Sequence, residues 1–406
     1  MNDFLPINKK EMLERGWQDV DFVFVTGDSY VDHPSFGVAI LTRLLENKGY
    51  RVAVLSQPNW KNDGDFTQFG RPRLGFMVTS GNIDSMVAHY TAAKRLRHDD
   101  AYTAGGVAGK RPDRAVIVYS NIIKRIYPDC PVIIGGLEAS LRRFAHYDYW
   151  DDSIRPSILI DSKADLLTFG MGEKQTVEIA KRLDNGENIA DMRDILGTCY
   201  ICPNNETPYD GVEVPSFDNV VNSKKEYAKS CRIEQDEQDH IRGRLIKQKH
   251  GKTMLVQNKP MPPLTQSELD KVYSLPYARA YHPSYEKLGG VPGIKEVEFS
   301  ITHNRGCFGA CNFCSIAFHQ GRYVTSRSKK SIIAEAEKLT HMPGFKGYIH
   351  DVGGPTANFR KPSCTFQEKH GLCKGKKCLA PKPCKNLSVD HSEYLDILRQ
   401  VRSLPK

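Results

Sequence analysis

Apolar and polar positions alternate along the first third of the chain in two rhythms. "DFVFVT" (residues 21–26) is a short apolar run that reads as a buried strand. "SFGVAILTRLLENKGY" (35–50) repeats its apolar positions at the helical period until Gly49 closes it. "RVAVLSQP" (51–58) reads as the next strand, stopped by Pro58. "RLGFMVTSG" (73–81), "RPDRAVIVYSNIIKRIYP" (111–128), "PVIIGGLEASL" (131–141) and "ADLLTFGMGEKQTVEIAKRL" (164–183) continue the alternation. Strand then helix, repeated, predicts an α/β fold with a doubly wound, Rossmann-like parallel sheet and helices on both faces. Ligands of such sheets bind where strands end. That rule singles out the loops "VTGDSYVDHPSFG", "TSGNIDSM", "IGGLEAS" and "FGMGEKQ".

The rhythm then breaks. Residues 96–112 read as a long loop, and residues 200–245 are polar and poorly periodic. Residues 257–285 carry five prolines and read as a strap or linker. A new unit begins with "KEVEFSITHNRGC" (295–307), a strand running into cysteines. A helix follows over 328–342, and "GYIHDVGGP" (347–355) reads as a second strand. The expected organisation is an α/β domain over 1–200, a polar, proline-containing connector over 201–290, and the start of a (β/α) unit over 291–406.

Composition narrows the class. The hydrophobic fraction is 40%, ample for packed cores, and charged residues at 26% argue against disorder. The net charge of +9 permits an anionic partner but is too diffuse for a strong nucleic-acid footprint. The N-terminus has no apolar signal region, and no run reaches the length of a membrane helix, so a soluble, cytoplasmic protein without a membrane partner is expected. In that compartment thiols stay reduced, and clustered cysteines read as metal ligands. Of eleven cysteines, seven lie between 307 and 384.

Three of them sit in "GCFGACNFCS": Cys307, Cys311 and Cys314. Thiolates are preferred ligands of iron–sulfur clusters and zinc. A cubane held by three thiolates keeps one iron open, and an open position marks a catalytic metal, whereas structural zinc sites are closed. The cysteines follow a predicted strand, where (β/α) barrels build their active sites. The alternatives are a zinc knuckle completed by His303 or His319, and unliganded thiols.

"CFGACNFC" resembles the CxxxCxΦC pattern of radical S-adenosylmethionine (SAM) enzymes, with Phe313 at the aromatic position. The wider set "VTGDSYVDHPSFG", "RRFAHYDYWDDS", "VQNKPMPPL", "LPYARAYHPSY" and "CSIAFHQGR" resembles the YgiQ-like radical SAM proteins from about residue 8 to the end. The resemblance implies a [4Fe–4S] cluster on Cys307, Cys311 and Cys314, with SAM on the open iron. It implies reductive cleavage of SAM to a 5′-deoxyadenosyl radical that takes hydrogen from a substrate the sequence does not name. A reducing electron donor such as flavodoxin or ferredoxin is implied too, as is SAM binding by Phe313, Gly353 and Gly354.

The sequence departs from the pattern in two places. Pro355 stands where a glutamate often follows the two glycines, with Asp351 as a substitute carboxylate. The chain also ends after two expected barrel strands, which reads as a truncated partial barrel, weakly active or inactive alone.

Other constellations are less specific. Cys364, Cys373, Cys378 and Cys384, in a lysine-, proline- and glycine-rich stretch, form a candidate second site for zinc or an auxiliary Fe–S cluster, with His370 and His391 as substitute ligands. Cys199 and Cys202 form a CxxC that reads as a turn, and Cys130 and Cys231 read as structural. "VDHPSFG" has the wrong spacing for a cobalamin-ligating motif. Asp28, Asp32 and His33 are more simply caps of the following helix, and Arg322 is a candidate carboxylate contact. A competing function is a non-catalytic Fe–S or zinc-binding module that contacts nucleic acid.

Overall fold

The alternation in the first strand shows what the sheet does with its two faces. In Phe22–Thr26, Val23 and Val25 join one buried cluster while Phe22 and Phe24 join another on the opposite side. The neighbouring strands split the same way: Phe76 and Val78 against Met77, Val132 and Ile134 against Ile133, Leu167 against Leu166. A strand buried on both faces must be apolar at every position, which is why these segments read as continuous runs. Phe76 is fully buried; truncating such a side chain to Ala typically costs about 3–5 kcal/mol.

The structure is a computed structural model and describes residues 4–354 and 358–405. It divides into two units: residues 1–237, 244–261 and 277–292 form the first, and residues 238–243, 262–276 and 293–406 the second.

The first unit holds a nine-stranded sheet. Five strands are parallel: Phe22–Thr26, Val52–Ser56, Gly75–Thr79, Val132–Ile134 and Leu166–Thr168. Numbered by their order in the chain, they run 2-1-3-4-5 across the sheet, the flavodoxin-like form of the doubly wound fold. Helices Gly37–Glu46 and Ala115–Ile126 lie between successive strands of this set, and Glu173–Asp184 follows the last of them. Ala115–Ile126 turns Ala115, Val116, Tyr119, Ile122 and Ile123 to the core and ends on Lys124 and Arg125, which suit the negative end of the helix dipole.

Residues 201–290, which the sequence presents as a polar, proline-containing connector, help extend this sheet. Thr198–Pro203 adds antiparallel to Leu166–Thr168, followed by Thr253–Gln257, Ile246–His250 and Val212–Glu213. Ile246–His250 is polar by composition yet largely buried. Its Gln248 side chain accepts from the Ala145 N–H at 2.8 Å and donates to the Pro215 carbonyl at 3.1 Å, so satisfied hydrogen bonds replace apolar contacts.

The second unit contains a βαβ arrangement. Ser300–Thr302 pairs in parallel with Asp351–Gly353, and helix Lys329–Thr340 lies between them in sequence. Phe299, Ile301, Ile332, Ala336, Leu339, Val352 and Ile397 form its core, to which helix Ser392–Arg402 contributes. The expected strap contains a real helix, Gln266–Tyr273, started by a Thr265–Glu268 capping box. Among the described residues no helix is long and apolar enough to cross a membrane.

Candidate functional site

The cysteine loop is built at the end of the strand pair that starts the second unit. Asn304–Arg305 pairs antiparallel with Thr325–Ser326, which closes residues 306–324 into a loop. At its neck the Cys307 N–H donates to the Gly321 carbonyl at 3.1 Å, and the Gly306 N–H to Gln320 Oε1 at 3.2 Å. Gly306 has a φ of +81°, and a Cβ there would lie 2.1 Å from the Tyr323 carbonyl oxygen. Only glycine lets the chain leave the strand at this angle.

Within the loop, Cys307 is buried, Cys314 half-buried and Cys311 exposed. The Cys314 N–H donates to the Cys311 carbonyl at 3.1 Å, a tight turn that keeps the last two cysteines together. A Cβ on Gly309 would lie 3.3 Å from the Cys307 sulfur and 3.9 Å from the Cys311 sulfur. Two thiols therefore border one small space that any side chain at position 309 would occupy. Among the described residues no three His, Cys, Asp or Glu side chains converge as ligands of a single metal ion. A cubane places its thiolates on separate irons, so it takes them spaced around a gap. The donor set and the gap at Gly309 fit such a cluster.

Around the loop, Phe308 stacks on Phe359 with ring centroids 3.8 Å apart and 24° between planes. Phe313 is 92% exposed. The Gly353 carbonyl accepts from the His303 N–H at 2.9 Å, which places the glycine pair at the end of the strand beside the one leading into the cysteines. A Cβ on Gly353 would meet the Asp351 carboxylate at 2.5 Å, so that carboxylate folds against the glycine. The Gly354 N–H donates to Asn358 Oδ1 at 3.3 Å. Pro355 lies outside the described residues.

His303, weighed from the sequence as a zinc ligand, is fully buried, with its ring 5.1 Å from that of Tyr394. Burial, with the nearby Arg360 and Arg327 cations, pushes its pKa down to about 3. Among the described residues neither ring nitrogen has a hydrogen-bond partner. Sequence pattern offered no sign of Arg327, Arg360 or Tyr394, because these partners come from distant segments.

The four later cysteines also gather. Cys364, Cys373, Cys378 and Cys384 all line one cavity of about 160 Å³. The Cys384 N–H donates to the Cys378 carbonyl at 2.8 Å, and the Ser388 N–H to the Ser363 carbonyl at 2.8 Å. The Asn386 backbone amide, helped by Lys376, holds the Cys384 thiol below its ordinary range. This segment touches the three-cysteine loop: the Lys377 ammonium donates to Asn312 Oδ1. Arg322, read from the sequence as a carboxylate contact, instead donates to the Lys376 carbonyl at 3.2 Å.

In the first unit, the loops at the strand ends meet one another. Arg111 sits at the switch point between Phe22–Thr26 and Gly75–Thr79, with its side chain wholly buried. It donates to Asp28 at 2.7 Å, to the Ser80 carbonyl at 3.0 Å and to Asp100 at 2.6 Å. Burial pushes the Asp28 carboxyl up to about 6 in spite of the Arg111 cation. Asp32 pairs with Arg43, and His33 Nδ1 accepts from the Ser35 N–H at 3.1 Å. Helix Gly37–Glu46 has Phe36 as its N-cap and no side-chain cap, so none of the three caps it: His33 braces the turn before it, and Asp28 and Asp32 hold arginines. Cys199 and Cys202 lie on the strand Thr198–Pro203 rather than in a turn, and burial pushes the Cys199 thiol up to about 12, which suits inert packing. Cys130 is buried likewise, while Cys231 is exposed.

Fold and site together define an α/β protein with a doubly wound first unit and a thiol-bearing strand-end loop in the second. The chain belongs to the Radical SAM N-terminal family, which matches residues 4–300. It is 58% identical over 403 residues to a UPF0313 protein of Clostridium botulinum (Type A), covering 99% of this chain and 62% of that one. A UPF0313 protein of Clostridium perfringens (Type A) is 56% identical over 405 residues, covering 100% of this chain and 61% of that protein. These relatives agree with the YgiQ-like resemblance, and the chain spans about 62% of the length of the first. A solved structure of the radical SAM methyltransferase TsrM from Kitasatospora setae, with tryptophan substrate and a SAM analogue bound, is a distant likeness. Its TM-score is 0.41 at 19% identity, covering 79% of this chain and 45% of that one.

Proposed function

We propose that the chain is the radical-generating part of a radical SAM enzyme, with Cys307, Cys311 and Cys314 as the three ligands of a [4Fe–4S] cluster. The observation that carries this reading is the loop itself. Three thiols follow a strand end, and Gly309 leaves the space between Cys307 and Cys311 free. A cluster held there would supply the single electron for reductive cleavage of the C5′–S bond of SAM to methionine and a 5′-deoxyadenosyl radical, the species that would take hydrogen from the substrate.

The chain's own residues bind and orient. Gly353 and Gly354 offer backbone without side-chain bulk to the methionyl part of SAM, and the exposed Phe313 offers a face for its adenine. Asp351, folded against Gly353, would supply the carboxylate for the methionyl amino group in place of the usual glutamate. The stacked Phe308 and Phe359 hold an apolar wall beside the loop and limit water there. A low-potential donor of the flavodoxin or ferredoxin class supplies the electron.

The test is anaerobic reconstitution with iron and sulfide, followed by low-temperature EPR of the reduced protein with and without SAM. A [4Fe–4S]⁺ signal that changes on adding SAM, and is lost in Cys311→Ala, is the expected result. A preparation that binds no cluster, or whose signal survives Cys311→Ala and ignores SAM, would overturn the reading.

A further inference from the structure

Residues 371–391 raise a problem of stability. Between helices Thr365–His370 and Ser392–Arg402 the chain runs without a helix or strand. Loops that long inside a folded unit are uncommon and need something to order them. This one is rich in lysine, and its large apolar residues are three leucines and one valine. Such a composition cannot bury enough apolar surface to offset the entropy of a fixed conformation.

What it carries instead is thiols. Cys364 precedes the first helix, and Cys373, Cys378 and Cys384 follow it, yet all four reach the wall of one cavity. Backbone hydrogen bonds bring them there. The Cys384 N–H reaches the Cys378 carbonyl, and the Ser388 N–H reaches back to Ser363, beside Cys364. At the start of the loop the Leu372 N–H donates to the buried Asp239 carboxylate at 2.7 Å. None of the four is in a disulfide. Lys376 and Lys377 line the same cavity and offset the negative charge that four thiolates would bring.

We propose that Cys364, Cys373, Cys378 and Cys384 hold a second metal centre, closed by four thiolates and therefore structural. It does not depend on the cluster assigned to the three-cysteine loop. Four thiolates leave no open position for a cosubstrate, in contrast to three. The metal staples the loop, as in other small segments whose core is too thin to fold alone. Through Lys377 and Asn312 it also fixes one side of the three-cysteine loop. Zinc and an iron–sulfur cluster share this ligand chemistry. Among the described residues the thiols line the cavity without converging on one point, so a cluster would sit among them and a single zinc ion would have to draw them inward.

The experiment uses the full chain carrying Cys307→Ala, Cys311→Ala and Cys314→Ala, which removes the first site. Iron, acid-labile sulfide and zinc are measured after purification and after anaerobic reconstitution. Retained metal that is lost on adding Cys378→Ser and Cys384→Ser is expected: iron with sulfide identifies a cluster, zinc a single ion. No thiol-bound metal in the triple variant would overturn the proposal without touching the reading of the first site. Because the variants can misfold, alkylation of the unsubstituted chain is mapped by mass spectrometry before and after chelation. All four thiols should be protected at least several-fold until the metal is removed; equal labelling in both states would also overturn the proposal.

Discussion

The guanidinium of Arg111 lies 2.7 Å from the Asp28 carboxylate, at the one place where a 2-1-3-4-5 sheet ordinarily opens a ligand crevice. The chain closes that crevice with its own side chains. Asp100, from the long loop over 96–112, completes the triad at 2.6 Å. The strand ends that the sequence marks as a ligand edge are here a packed ionic plug, while the thiols that mark chemistry sit in the other unit.

The plug makes a quantitative expectation. Arg111→Met removes the cation and leaves two buried carboxylates facing each other. Breaking a buried pair from one side costs about 3–5 kcal/mol, because the remaining charge is uncompensated. Urea unfolding of this variant should show a loss of that order, and Asp28→Asn combined with Arg111→Met should recover part of it. A loss under about 1 kcal/mol, the level of a surface pair, would mean that the triad is not buried as described.

The five parallel strands were legible because each is apolar on both faces and bounded by glycine or proline, so periodicity alone marks it. Cys307, Cys311 and Cys314 were legible for a different reason: their spacing is local, and local spacing survives in sequence. The strands beyond them were not. Ile246–His250 hides in polar sequence because Gln248 satisfies backbone groups rather than packing as a hydrophobe. Helix Lys224–Asp236 hides because Ser230 is its one fully buried side chain, which leaves little apolar stripe to read. The Arg111–Asp28–Asp100 triad joins residues up to 83 positions apart, and no periodicity encodes such a contact.

Gly309 allows the cluster space to be tested apart from the ligands. Its backbone does not require glycine, but a Cβ would enter the gap at 3.3 Å from the Cys307 sulfur. Gly309→Ala should fold normally and load several-fold less iron, and Gly309→Val less still. Gly344 is the control: it lies in the same unit with φ +82° and nothing within 4 Å of an added Cβ. Gly344→Ala should cost about 1 kcal/mol of stability through its left-handed backbone while loading iron fully. Full loading by Gly309→Val would place the cluster elsewhere.

His303 gives the second unit a pH dependence whose sign follows from burial. Its folded pKa of about 3 lies below the ordinary value of 6.5. The unfolded chain therefore binds a proton in that interval that the folded chain does not, and stability is lost as pH falls from 6.5 toward 3. By pH 5 the loss should be about 2 kcal/mol. His146 and His250, each held near 4 by burial, titrate in the same direction, so the wild-type curve alone does not isolate the effect. His303→Phe keeps a ring against Tyr394 and removes the titrating group. The difference in unfolding free energy between wild type and variant, measured at pH 7 and at pH 5, cancels the other two histidines. It should shift by about 2 kcal/mol in favour of the variant at the lower pH. A difference that is the same at both pH values would show that the folded state takes up the proton as readily as the unfolded one, and that burial beside Arg327 and Arg360 does not disfavour the charge.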